Sequence, residues 1–219
     1  MKLKDLLQEG PVFVPPTPSE IIEDKNGSFI STKTARQKYT KIGVFPLAAP
    51  IGLHKSIDIL LSKTGGSVIG IVPANRPIDN EMGYKDVFFL MFKETLPDYL
   101  PRELQHDAAK QVEGVETHKE LRGRGLATFA YFTLVAKGYT IISDFYHEFG
   151  GLKLWRRLAK LAGANNYNVN ILLPNGDFVK DRNSNILEFN DGNYPKSKIW
   201  STSPNQKHKD VLLVMRITP

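Results

Sequence analysis

Glu120-Leu121-Arg122-Gly123-Arg124-Gly125-Leu126-Ala127-Thr128 is the stretch on which the reading of this chain turns. Just upstream, Lys110 to His118 sets Val112, Val115 and Thr117 among polar residues in the rough two-residue period of a half-buried strand. Just downstream, Leu126 to Lys137 is apolar almost all round and stops at Gly138, which predicts a buried helix closed by a glycine cap. Strand, tight basic turn and buried helix in that order aim main-chain N–H groups at one point. The first four amides of a helix have no internal partner, and the helix dipole adds partial positive charge there, so main chain alone can hold an anion. Gly123 and Gly125 let the backbone come close, while Arg122 and Arg124 add charge. Two readings stand side by side: a phosphate cradle, or a basic surface turn whose glycines serve packing.

Composition narrows the classes. With 219 residues, 41% hydrophobic and 24% charged, the chain suffices for one sizeable core. No apolar run reaches the roughly eighteen residues of a membrane span, and Met1-Lys2-Leu3-Lys4-Asp5 leads into no apolar segment. The expectation is a cytoplasmic protein with no membrane partner. The lack of cysteine excludes disulfides, thiolate nucleophiles, acyl-cysteine intermediates and Cys-based zinc sites. No metal is expected either: the histidines are scattered, and His147-Glu148 misses the second histidine of an H-E-x-x-H helix because Gly151 stands there. P-loop and G-x-S-x-G signatures are absent. A dinucleotide fingerprint competes for the same glycines, with Asp144 about twenty residues on. Thr128 at its third glycine position, the polar run Glu116 to Glu120 and the hairpin-rich flanks count against it. A net charge of +6 favours an anionic partner, whether coenzyme A, nucleic acid or an acidic protein.

Taken in order, residues 1–40 read as an N-terminal extended arm: a short helical start (Leu3 to Glu9), then Pro11 to Pro18, which suits a polyproline-like strap or a partner ligand. Thr32 to Tyr39 is polar and basic, with no legible role. Residues 41–219 read as a single domain. Ile42 to Leu47, Ser56 to Leu61, Ser67 to Val72 and Asp86 to Phe92 are strand-like, with Thr64-Gly65-Gly66 as a hairpin turn. Leu96 to His106 is a loop or irregular helix. After the buried helix come a strand (Tyr139 to Phe145) and an amphipathic helix (Gly151 to Ala162), whose stripe Leu154, Trp155, Leu158, Leu161, Ala162 faces a core. Its other face, Lys153, Arg156, Arg157 and Lys160, is either solvated or a contact for phosphates. Tyr167 to Leu173 and Asp177 to Val179 flank a Pro174-Asn175-Gly176 turn, Asn183 to Pro204 is irregular, and Val211 to Ile217 is a last strand.

In this setting Arg122-x-x-Gly125-x-Ala127 resembles the acyl-CoA-binding signature Q/R-x-x-G-x-G/A of the GNAT acetyltransferase superfamily, over about Lys110 to Gly163. Within the family the chain resembles members carried on bacteriophage genomes, which implies a host cytoplasm. The resemblance implies an α/β (α+β) fold with a mixed, mostly antiparallel central sheet flanked by helices. It implies acetyl-CoA as co-substrate, an amine acceptor and direct acyl transfer. Its pyrophosphate would lie on Arg122, Gly123, Arg124, Gly125, Leu126, Ala127 and Thr128, with Thr117 on the strand before them. Its pantetheine arm would enter where that strand splays from its neighbour. The family's base, a strand carboxylate, falls on Glu113 or Glu116, which read equally well as solvated edge charges. Two departures matter. Trp155 stands where a tyrosine commonly protonates the leaving thiolate, and an indole N–H cannot do so, which leaves the role to nearby Tyr146 or to water. Glu148 stands where the family has a pantetheine-contacting asparagine. An inactive GNAT-like module that binds nucleic acid or protein is therefore the alternative.

Overall fold

In a computed structural model the described residues are 29–51, 54–78, 81–96, 98–144, 149–190, 193–194, 199 and 211–218; the expected helix at Leu3–Glu9 and the proline run lie outside them. The chain divides into two compact units. One combines the described residues up to Phe92 with Gly114–Thr133, the other Lys93–Glu113 with those from Leu134 onward.

In the first unit Phe29–Ser31 (β1), Tyr39–Ile51 (β2), His54–Ser62 (β3), Ser67–Ile78 (β4) and Glu81–Phe92 (β5) form antiparallel pairs β2-β3, β3-β4 and β4-β5, and β1 also pairs with β5. Their β-branched and aromatic residues supply the buried side chains Phe45, Ile57, Ile59 and Val68, joined by Leu90. The strands outrun their expected limits. Pro73 and Pro77 interrupt the sequence pattern after Val72, yet β4 continues to Ile78 across a register shift between those prolines. β2 likewise carries Pro46 and Pro50 within a shift between Pro46 and Ile51. Thr32–Lys38, unreadable in the sequence, is a helix (α1). Ser31 Oγ accepts from the Thr34 amide at 3.1 Å as its cap, and Ala35 joins Leu60, Ile69 and Ile71 in a small core. Residues 29–40, assigned to the arm from sequence, thus take part in this unit.

In the second unit the start of Ala109–Thr117 (β6) pairs parallel with Thr140–Ile142 (β7). Tyr167–Leu172 (β8) and Leu212–Ile217 (β9) are antiparallel partners, and β9 also pairs antiparallel with β7. Phe149–Ala162 (α3) packs on β8, and Leu100, Leu104, Ile142, Leu172, Phe178, Leu212 and Val214 form one core cluster. β7 is shorter than expected, and Phe145 lies outside the described residues. Asp177–Val179 makes a single bridge, Phe178 to Leu172, instead of a strand. The stretch expected to be irregular from Asn183 begins inside a second tight turn, where Asp181 Oδ1 accepts from the amides of Asn183 at 2.8 Å and Asn185 at 2.9 Å while Lys180 bridges Ile186. Short polar side chains build that turn and leave no hydrophobic period to detect. The class expected from the sequence holds: mixed α/β, with mostly antiparallel strands and a few helices.

Leu126–Ala136 (α2) is buried along most of its circumference, through Leu126, Ala130, Tyr131, Phe132, Leu134 and Val135. It closes on Gly138, whose amide donates to Val135 O at 2.9 Å while that of Tyr139 reaches Leu134 O at 3.1 Å, the paired closure a glycine cap makes. In the first unit Phe129 meets Phe45 of β2 edge to face, ring centroids 5.4 Å apart. Phe129 and Thr133 also cover Gly43, where an added Cβ would lie 3.3 Å from each. Gly43→Val should therefore force α2 away from β2 and destabilise by about 1 to 3 kcal/mol, read as a lower urea midpoint. Gly114→Ala in β6 is the control: an added Cβ there meets no atom within 4 Å. Its effect should stay within about 0.5 kcal/mol.

Candidate functional site

β6 enters the first unit at Gly114, and its far end is tied down where the His118 amide donates to Val87 O of β5 at 2.9 Å. A 3-10 turn at Lys119–Leu121 follows, and the chain reaches α2 through Gly123 at φ +78° and Gly125 at φ +87°. Both values lie in the left-handed region that glycine enters without a steric penalty. The amides divide into two sets. Those of Leu121, Arg122 and Arg124 donate back to His118 O (2.8 Å), Lys119 O (3.4 Å) and Leu121 O (3.3 Å), and that of Phe129 donates to Gly125 O (2.9 Å). No well-formed main-chain hydrogen bond runs from the amides of Gly123, Gly125, Leu126, Ala127 and Thr128 to a described residue. They crowd the start of an eleven-residue helix, where the dipole is positive.

The arginines add charge in different ways. Arg122 is exposed, and its Nε donates to Thr117 O at 3.0 Å, which lays its side chain back against the end of β6. Arg124 is half-buried; burial lowers its pKa from the ordinary arginine value and Glu120 opposes the shift, so the guanidinium remains cationic at neutral pH. Thr117 and Arg122 through Thr128 therefore meet at one junction. It is chemically suited to an anion, since donors and positive charge coincide there.

The carboxylates are distributed differently. Glu113 is exposed in the part of β6 that belongs to the second unit; Glu116 is exposed in the first. Tyr146 lies outside the described residues. The structure adds Asp86 of β5, which sequence reasoning passed over as the first residue of a strand. Its Oδ1 is shielded from solvent and has no hydrogen-bond partner among the described residues. Burial raises its pKa; a backbone hydrogen bond and Lys85 pull it down, and the negative charge of Glu116 pushes it up again.

Trp155 is 3% exposed and belongs to the core face of α3 with Leu158, Leu161 and Ala162. Lys153, Arg156 and Lys160 are exposed on that helix and Arg157 is half-buried. Among the described residues no group of three or more His, Cys, Asp or Glu side chains is placed to hold a metal ion, and no helix is long and apolar enough to cross a membrane. Compared with protein-family models, curated proteins and solved structures, the chain matches none.

A carboxyl whose pKa folding raises lends stability that is full below its unfolded value and is lost as pH rises through its folded value. Asp86→Asn cannot ionise. It should raise the melting temperature near neutral pH relative to wild type, and the gain should vanish toward about pH 4. A difference that is the same at both pH values would overturn this account of Asp86.

Proposed function

We propose that the chain is an acyl-CoA-dependent N-acyltransferase of the GNAT type, moving an acetyl group from acetyl-CoA directly to an amine. The observation that carries the reading is the set of amides at Gly123, Gly125, Leu126, Ala127 and Thr128, unpaired among the described residues and flanked by Arg122 and Arg124. Such a cradle fits a pyrophosphate.

In the reaction proposed, the amine attacks the thioester carbonyl, a C–N bond forms, the C–S bond breaks and the thiolate takes up a proton. Glu116, with Asp86 beside it, is assigned the proton lost by the attacking ammonium, and Glu113 is the other strand carboxylate able to take that role. Tyr146 is assigned the proton delivered to the thiolate. A second reading is favoured by one observation, the burial of Trp155 at the position of the family's usual acid. It makes the fold a binding module without transfer activity, whose basic α3 face meets nucleic acid. That reading predicts retention on DNA or RNA that weakens with salt and survives Glu116→Ala.

Isothermal titration with acetyl-CoA decides first: no heat up to near-millimolar ligand removes the acyltransferase reading. The order of damage then tests the cradle. Gly125→Val places a branched side chain at a positive φ where the pyrophosphate approaches, and should abolish binding. Arg122→Ala and Arg124→Ala should each cost about 1 to 2 kcal/mol, the scale of one charged hydrogen bond. A Gly125→Val protein that is folded by circular dichroism and binds like wild type rules the cradle out.

A further inference from the structure

The helix α1 of the first unit runs against the usual rule of helix charge. Its first turn has no acidic residue, and Lys33 stands there, where the positive end of the helix dipole disfavours a cation. Seven residues are too few for a helix to hold itself, so an acid at that position would have helped. Ala35 is the residue that α1 buries, while Lys33, Arg36, Gln37 and Lys38 are exposed. At the other end the carbonyls already have partners. The Tyr39 amide donates to Ala35 O, Lys63 Nζ donates to Arg36 O at 3.1 Å, and the Lys63 amide donates to Lys38 O at 2.9 Å. The side chains of Arg36 and Lys38 are therefore not needed to close the helix.

Those two bonds seat the turn between β3 and β4 against the end of α1, so that exposed Lys63 joins the cations of the helix. Lys41 follows on β2, but Asp58 neutralises it at 2.8 Å. Lys33, Arg36, Lys38 and Lys63 make no ion pair among the described residues, and neither residues 29–41 nor residues 62–67 include an acid. The chemistry of the surface narrows its partner. No apolar side chain is exposed on α1 or on the turn to enter a bilayer. The ring of Tyr39 is packed against the small core of Ala35, Leu60, Ile69 and Ile71, so it offers no platform for the unstacked bases of a single strand. What the surface presents is positive charge, which suits the phosphates of a duplex.

We propose that Lys33, Arg36, Lys38 and Lys63 form a docking surface for a double-stranded nucleic acid, held by its phosphates without reading its sequence. Lys33 and Arg36 stand one helical turn apart, about 5 to 6 Å between Cβ atoms, and Lys38 and Lys63 add charge at the helix end. The surface belongs to the first unit, whereas α3 belongs to the second, and it stands whether or not the chain binds acyl-CoA.

Fluorescence anisotropy of a labelled duplex DNA of mixed sequence, repeated over a range of salt, tests this. Wild type should bind at low salt, with the logarithm of affinity falling linearly in the logarithm of salt. Arg36→Gln combined with Lys38→Gln should reduce that slope by about 2, weaken binding about tenfold at low salt and leave the urea midpoint unchanged. Lys33→Glu separates binding from folding: it should hold or raise the urea midpoint, because an acid suits the first turn, and still weaken binding. If the double variant lowers the midpoint, Lys33→Glu decides alone. Wild type that does not bind duplex DNA at low salt overturns the proposal, and so do α1 variants that bind like wild type. Binding lost in Lys153→Gln combined with Lys160→Gln, but kept by the α1 variants, places the nucleic acid on α3 and equally overturns it. Vesicles of phosphatidylcholine with phosphatidylserine are the second probe. Tighter binding to them than to the duplex at equal salt, lost in the same α1 variants, makes this a lipid surface and overturns the duplex.

Discussion

Everything at the candidate site depends on the chain passing from β6 into α2 through two glycines with positive φ. That path turns five successive or near-successive amides away from the backbone acceptors they would find in a longer helix or a continued strand. Their exposure has to be sustained by burial nearby. α2 supplies it: Leu126, Ala130 and Tyr131 are buried immediately after the turn, and Phe129 with Thr133 seats on Gly43 of β2. At the other end, the bond from the His118 amide to Val87 O keeps β6 from fraying into the loop. The turn is thus anchored on both flanks, by the His118–Val87 hydrogen bond on one side and the buried start of α2 on the other.

Charge within the first unit is segregated. Cationic groups, Arg122 and Arg124, sit at the turn, while Asp86 and Glu116 sit on adjacent stretches of strand. Asp86 is the more consequential carboxyl, since burial and a like-charged neighbour both oppose its ionisation.

The second unit ends its ladders with polar side chains. Gln111 and Ser143 replace main-chain partners where β6 and β7 part, and Asp181 closes a turn by accepting two amides. Such substitutions satisfy the backbone locally without extending a sheet. They decide where pairing stops as firmly as hydrophobic alternation decides where it runs.

The presence of α2 and α3, the turns at Gly65 and Gly176, and the existence though not the limits of the strands from β3 to β9 were legible because each carries a hydrophobic period or a glycine that only a turn requires. The two-glycine turn between β6 and α2 was legible for the same reason: it is contiguous, and its spacing is a local property of the chain. α1 was not, because a seven-residue helix held by one buried alanine and a serine cap has no stripe to read. The prolines of β2 and β4 misled, because a register shift absorbs them only once a partner strand is present. Asp86 and Gln111 became visible only in three dimensions. What distinguishes them is a missing partner and a neighbour from another strand, and burial and pairing between distant segments are not properties of any stretch of sequence. The sequence by itself determined most of the elements and the basic two-glycine turn; the tertiary structure alone decided which carboxyl has its pKa raised by burial and where the β6–β7 pairing stops, because both follow from packing between residues far apart in the chain.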